Sequence, residues 1–267
     1  MPADGYRKLL FSTLVEYPMK GTYDYAAALQ ADIHRHMSAA QRFRIALDMS
    51  LLARELGAAR RQSDPAWKNQ KLLRLGQWES RMVAERDVFR RITSAFDRAD
   101  VPHMLTGAFA ASIHGIPRAT PDIDFVIEAD ERRLSAFVRS LRADEYDVDV
   151  VAATQAFRDG TQFNVLDLQT GWNVDLLMRK TRQFSIEEFD RREPLEITGI
   201  TLHVATAEDT IITKLERTRL GASSGLLEDV AAILRTSDAL DISHIERWVA
   251  PLGVVAEWAA AKRLAGE

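Results

Sequence analysis

Two aspartates separated by a single isoleucine open an otherwise apolar run, D-I-D-F-V-I over residues 122–127, and this pattern restricts the fold more than any other in the chain. Alternate residues of a strand share a face, so Asp122 and Asp124 project together while Ile123, Phe125 and Ile127 project to the side that must be buried. A third acid, Asp175, sits in W-N-V-D-L-L-M with Val174 and Leu176 pointing away from it. A charge in the middle of an apolar strand is costly unless it is paired or bound to a metal. Neighbouring carboxylates repel one another unless a cation lies between them, and hard oxygen donors suit Mg²⁺ or Mn²⁺. Taken alone, an Asp-x-Asp strand also has an ordinary reading as a solvated face.

The surrounding residues favour the first reading. M-L-T-G reads as a short buried strand ending at Gly107, and A-F-A-A-S-I-H-G as a short helix directly after it. A strand–glycine–helix turn presents unpaired N–H groups and the positive end of a helix dipole, which together favour phosphate oxygens. Metal-binding acids beside a phosphate cradle describe a site for a nucleoside triphosphate, with the logic of metal-assisted phosphoryl transfer.

The rest of the chain reads as an α+β architecture, a small mixed sheet flanked by helices with helical segments at both ends. Residues 1–85 form an N-terminal helical segment, 86–205 the core and 206–267 a C-terminal helical subdomain. In the first, Ile45, Met49, Leu52 and Leu56 recur at helical spacing. Val88 or Phe89, Ile92 and Phe96 share a face of a second helix. Strands are expected at I-D-F-V-I-E, Y-D-V-D-V-V, Q-F-N-V-L-D-L-Q and W-N-V-D-L-L-M, with D-E-R-R-L-S-A-F-V-R-S-L-R-A as a helix. Thr170-Gly171 marks a hairpin between the last two strands, and L-E-I-T and T-L-H-V-A flank a further glycine turn. Thr206 and Asp209 have the spacing of a capping box, with Ile211, Ile212 and Leu215 as the buried face behind it.

Composition excludes several classes. The 267 residues contain no cysteine, so disulfides and thiolate metal sites are ruled out and a reducing cytoplasm is expected. No run of apolar residues is long enough to span a bilayer, and the first residues lack the pattern of a secretory leader. Charge is uneven: residues 1–86 hold 14 Lys+Arg against 9 Asp+Glu, and 87–267 hold 21 against 30. This fits either two differently solvated surfaces or a basic segment docked on an acidic domain or on a polyanion. The histidines have no metal-ligand spacing. His103, His114 and His203 read as core or edge residues and His34 and His36 as exposed. Trp67 and Trp78 could stack on bases, although packing between helices is the commoner use.

The run T-G-A…R-A-T-P-D-I-D-F-V-I-E with a later V-D-L-L resembles the nucleotidyltransferase superfamily, the fold shared by DNA polymerase β and the antibiotic nucleotidyltransferases. G-I-P-R-A-T-P-D-I-D is most similar to small bacterial members, the abortive-infection AbiEii-type toxins and their relatives. Those continue with a helix of the kind seen at Glu208-Asp209-Thr210-Ile211-Ile212-Thr213-Lys214-Leu215, and with a later acidic pair, here Glu228-Asp229. The resemblance spans about residues 87–240. It implies Asp122, Asp124 and Asp175 as ligands of Mg²⁺ or Mn²⁺, with Asp175 also assisting deprotonation of a hydroxyl. It places Gly107 and Ala108 against the triphosphate, Arg118 and Thr120 nearby, and Lys214 on a phosphate from the helical region. Plain alternatives exist for Arg118 as a loop arginine and Lys214 as a solvated helix lysine, and Asp229 reads as a capping or pairing residue.

Active members often carry serine or a second glycine where this chain has Ala108, and alanine offers no hydroxyl to a phosphate. The implied activity is transfer of a nucleoside monophosphate from a triphosphate such as ATP to a hydroxyl, with tRNA as acceptor in a toxin–antitoxin setting. Transfer of AMP to a protein hydroxyl is the alternative, and a degenerate homologue that binds nucleotide or a partner without turnover is another. Residues from Met37 onward resemble a small helical protein encoded beside such enzymes. This implies a fused partner or antitoxin-like region, with residues 37–85 docked on the transferase domain.

Overall fold

A computed structural model describes residues 30–61, 87–197, 199–221 and 225–266. Trp67, Trp78 and the remainder of the N-terminal segment lie outside the described residues. Among those described, a mixed sheet of seven strands carries helices on its faces, giving the α+β class expected. No described helix is long and apolar enough to cross a membrane.

The strands are β1 (His103–Leu105), β2 (Asp122–Ile127), β3 (Tyr146–Val148), β4 (Gln162–Asp167), β5 (Asn173–Met178), β6 (Glu193–Ile197) and β7 (Ile200–Val204). Their order across the sheet is β3-β4-β5-β2-β1-β7-β6. β2 runs parallel to β5, and β1 parallel to β7, while the remaining pairs are antiparallel. The centre of the sheet is therefore β5-β2-β1, which brings two acid-bearing strands side by side beside the strand that leads to Gly107.

The alternation in β2 and β5 decides their orientation. Ile123, Phe125, Ile127, Val174 and Leu176 are fully buried, at 0 % exposure. Each such side chain contributes about 1.5–3 kcal/mol relative to leaving it in water, so a one-residue slip of register would be prohibitive. The buried face packs on α1 (Ala39–Arg61), α2 (87–98), α4 (Glu131–Ser140) and α5 (Val150–Asp159) in one apolar core. α3 (Gly107–His114) joins this core through Phe109, Ala110 and Ile113, and on the opposite side of the sheet lie α6 (Gln183–Asp190) and α7 (Ala207–Arg219). The last packs with α8 (Gly225–Thr236), α9 (Ile242–Val249) and α10 (Val255–Ala265) around a second apolar cluster that includes Ile211, Ile212 and Leu215.

Several elements depart from the sequence reading. The strand expected over Y-D-V-D-V-V stops at Val148, because the Asp149 side chain accepts hydrogen bonds from the amides of Val151 and Ala152 and starts α5 there. Helix α6 was not expected. In α1 the buried stripe is not the one expected: Met49 and Leu52 are 42 % and 49 % exposed, and Ile45 is half-buried. Phe43, Ala46, Leu47 and Leu51 face the core instead. Both stripes have helical spacing, and the aromatic packing of Phe43 on Phe89 and Phe109, with ring centroids 5.0 and 5.4 Å apart, selects the second. The Leu56 side chain lies outside the described ones.

Candidate active site

Asp124 pairs in register with Asp175 across the parallel β2–β5 ladder, and Asp122 with Asn173. Partners in a parallel ladder point to the same side of the sheet, so all four side chains share the face opposite the core. Asn173 confirms this by contact: its amide nitrogen lies 2.7 Å from Asp175 Oδ1 and 3.4 Å from Asp122 Oδ1. On the next strand Asn164, in register with Asp175, donates to Asn173 Oδ1 at 2.9 Å. An amide donor thus stands between two of the three acids and lessens their repulsion.

Gly107 touches Asp124. Its φ of +67° is a left-handed conformation natural to glycine, and a Cβ there would fall 1.9 Å from Asp124 Oδ2. The Thr106 amide donates to the Asp124 carbonyl at 3.0 Å, which fixes the turn to the strand. The first amides of α3 have no partner within their own helix and open beside the carboxylate. Ala108 is buried behind the turn, at 8 % exposure.

From Asp124 a cleft runs between α6 and α7, lined among others by Gly107, Lys180, Glu188, Lys214 and Arg217. Thr210, Thr213, Lys214 and Arg217 fall at i, i+3, i+4 and i+7, so one face of α7 forms a wall of it. Burial, followed by the charges of Asp175 and Asp122, holds the Asp124 carboxyl above its usual range, with Arg217 and Lys214 opposing. Asp175 is raised chiefly by burial and then by Asp122, against the Asn173 hydrogen bond and Arg217. Surplus negative charge on the sheet therefore faces cations on α7.

Lys214 is 3 % exposed and its ammonium lies 2.7 Å from Asp229 Oδ2 on α8. Arg118 grips the same carboxylate through two bonds, at 2.7 and 2.8 Å. Burial lowers the Lys214 pKa, with Asp229 opposing. Burial alone would raise Asp229, but the Arg118 hydrogen bond and Lys214 hold it below the usual carboxylate range. Arg118 is thus tied to Asp229 in the structure. Thr120 is buried, its amide donating to Ser50 Oγ at 2.9 Å and its hydroxyl to the Asp122 carbonyl at 3.3 Å. Of the residues singled out in the sequence, the cleft gathers Gly107, Asp124 and Lys214, with Asp122 and Asp175 on the same sheet face.

Asn173 and Arg217 were missed. Each carried a signal: Asn173 lies two residues before Asp175 in the same strand, and Arg217 lies one helical turn after Lys214. Among the described residues no group of three or more Asp, Glu, His or Cys side chains is already drawn together to hold a metal ion. The donor set itself, three carboxylates on adjacent strands with an amide between two of them, has the oxygen chemistry that a hard divalent cation requires.

No protein-family model and no curated protein sequence matches the chain. Solved structures similar to it include nucleotidyltransferase-like proteins. An antigenic nucleotidyltransferase-like protein from Paracoccidioides brasiliensis is 18 % identical, with a TM-score of 0.38, over 54 % of this chain and 72 % of that one. The antibiotic-resistance factor ANT(2'')-Ia is 14 % identical, with a TM-score of 0.41, over 68 % and 96 %. JHP933 from Helicobacter pylori is 16 % identical, with a TM-score of 0.31, over 53 % and 62 %.

Proposed function

We propose that this chain transfers a nucleoside monophosphate from a nucleoside triphosphate to a hydroxyl group and releases pyrophosphate. The observation that carries the reading is the placement of Asp124 in register with Asp175, while Gly107 at a helix N-terminus presses on the same Asp124 carboxylate. Carboxylates for a cation and amides for a phosphate are wanted together in few chemistries other than transfer from a polyphosphate.

Asp122, Asp124 and Asp175 would hold Mg²⁺ or Mn²⁺. When bound, the ion neutralises phosphate charge and favours ionisation of an attacking hydroxyl. The remaining work falls to the protein's own groups. The amides at Gly107 and the start of α3 bind phosphate oxygens, and Arg217 and Lys214 supply positive charge from α7. The oxygen of the acceptor hydroxyl forms a bond to the α-phosphorus as the bond to the pyrophosphate oxygen breaks. Asp175, whose carboxyl is held above its usual range, accepts the hydroxyl proton. Ala108 contributes its backbone amide only.

The acceptor we assign first is the 3′ hydroxyl of tRNA, on the sequence resemblance, with a protein hydroxyl second. Incubating the purified chain with α-³²P-labelled nucleoside triphosphates, total tRNA and cell lysate shows where label is deposited. Transfer should need Mg²⁺ or Mn²⁺ and should vanish in Asp124→Ala, which should stay folded because removing one of several clustered like charges relieves repulsion. Label transfer that persists in EDTA or in Asp124→Ala, or its absence with every acceptor, overturns the reading.

A further inference from the structure

We infer that helix α1 is part of the active-site frame, and that Ser50 and Arg54 are positioning residues setting the spacing of the strands that carry Asp122, Asp124 and Asp175. The inference deepens the function proposed above and rests on it for its catalytic consequence.

One helix reaches all three pieces of the site. At its first turn Arg42 Nε donates to the Ile113 carbonyl of α3 at 2.5 Å, and Phe43 packs on Phe109 of the same helix. Two turns on, Ser50 is fully buried at 0 % exposure. Its hydroxyl donates to the Ala46 carbonyl at 2.6 Å and accepts the Thr120 amide at 2.9 Å. Thr120 in turn donates to the Asp122 carbonyl, so Ser50 is two hydrogen bonds from the first aspartate.

Arg54 is placed where it spans both acid-bearing strands at their starts. Its guanidinium lies 3.1 Å from the Thr170 carbonyl in the β4–β5 hairpin and 3.5 Å from the Pro121 carbonyl just before β2. It also lies over the Trp172 ring, 4.4 Å from the centroid, and Trp172 is fully buried immediately before β5. Pro121 and Thr170 are far apart in sequence, and β2 and β5 are neighbours only through their ladder. A planar fork of fixed width can face two carbonyls and an aromatic ring at once, whereas a lysine ammonium is a single point on a flexible stem. A site that acts by holding charges at set distances is sensitive to such a clamp, because a displacement of about 1 Å costs about 10²-fold in rate.

Arg54→Lys and Ser50→Ala, each in the full chain, test the assignment by two readouts. Amide hydrogen exchange should rise in the segments 119–124 and 170–176 and stay at the wild-type rate in the β6–β7 hairpin. The kcat for label transfer should fall by about tenfold to 10²-fold with KM for the triphosphate little changed, since the phosphate-binding amides and α7 are untouched. Exchange that stays at the wild-type rate in both strand starts overturns the inference whatever the chain catalyses. Raised exchange with unchanged kcat in an active protein overturns it too. A wild-type chain that transfers no label sinks the proposed function instead, and the exchange comparison still decides whether α1 holds the strands.

Discussion

At residue 107 two constraints coincide. The backbone is left-handed, with φ +67°, and the space a Cβ would occupy is taken by the Asp124 carboxylate, 1.9 Å from Oδ2 and 2.6 Å from Cγ. Gly160 is the control: its φ of +62° is similar, yet nothing lies within 4 Å of the corresponding position. Gly160→Ala should therefore cost only the left-handed penalty, about 1–2 kcal/mol. Gly107→Ala should cost more in urea unfolding and should also abolish label transfer by forcing Asp124 off its position. Equal costs for the two substitutions would mean that Asp124 yields freely and that its contact with the turn is incidental. The essentials of this contact were legible in the sequence. Strand alternation puts Asp122 and Asp124 on one face, and a glycine between a strand and a helix signals a tight turn. The register that sets Asp124 beside Asp175 was not legible, because it depends on which strands become neighbours across the sheet.

Helix α7 shows the same division at the scale of an element. Its N-cap was readable, since the Thr206 side chain accepts the Asp209 amide, and so was its apolar face. Its other face was readable only as a spacing, and the identity of the partners came from the packing of α8. There Asp229 serves two cations, Lys214 and Arg118, and this asymmetry makes a prediction. Asp229→Asn leaves a buried ammonium and a guanidinium without a counter-charge, and breaking a buried pair in this way costs about 3–5 kcal/mol. Lys214→Met leaves Asp229 still held bidentately by Arg118, so it should destabilise less while weakening triphosphate binding more. Urea unfolding together with KM for the triphosphate checks both orders, and a reversal of the stability order would remove Asp229 as the shared counter-ion. In α1, by contrast, two apolar stripes, both of helical spacing, competed. The sequence could not rank them because the choice is made by Phe89 and Phe109, distant in the chain.

Across the whole molecule, the junction between sheet and helical half holds an acid that folding does not accommodate well in its charged form. Glu188 on α6 is 6 % exposed and accepts a hydrogen bond from Thr213 of α7 at 2.9 Å. Arg182, the N-cap residue of α6, is ion-paired with Glu216, and Asp209 adds a further negative charge. Burial pushes the Glu188 carboxyl up from 4.5 to about 7, more than the Thr213 hydrogen bond lowers it. Below about pH 4.5 the group is protonated in folded and unfolded chains alike and contributes nothing to the pH dependence. As pH rises from there to about 7, the folded chain keeps a proton that the unfolded chain releases, so stability falls through this window and levels off above it. The full loss is about 3 kcal/mol. Other buried acids also titrate, but comparison with Glu188→Gln cancels them, because glutamine keeps the shape and the acceptor oxygen without the charge. The variant should match the wild type in urea unfolding near pH 4.5, gain on it steadily as pH rises, and exceed it by a constant margin above about pH 7. A difference that does not change with pH would show that Glu188 is ionised at no cost, and the junction between the two halves would then be wetter than its burial implies.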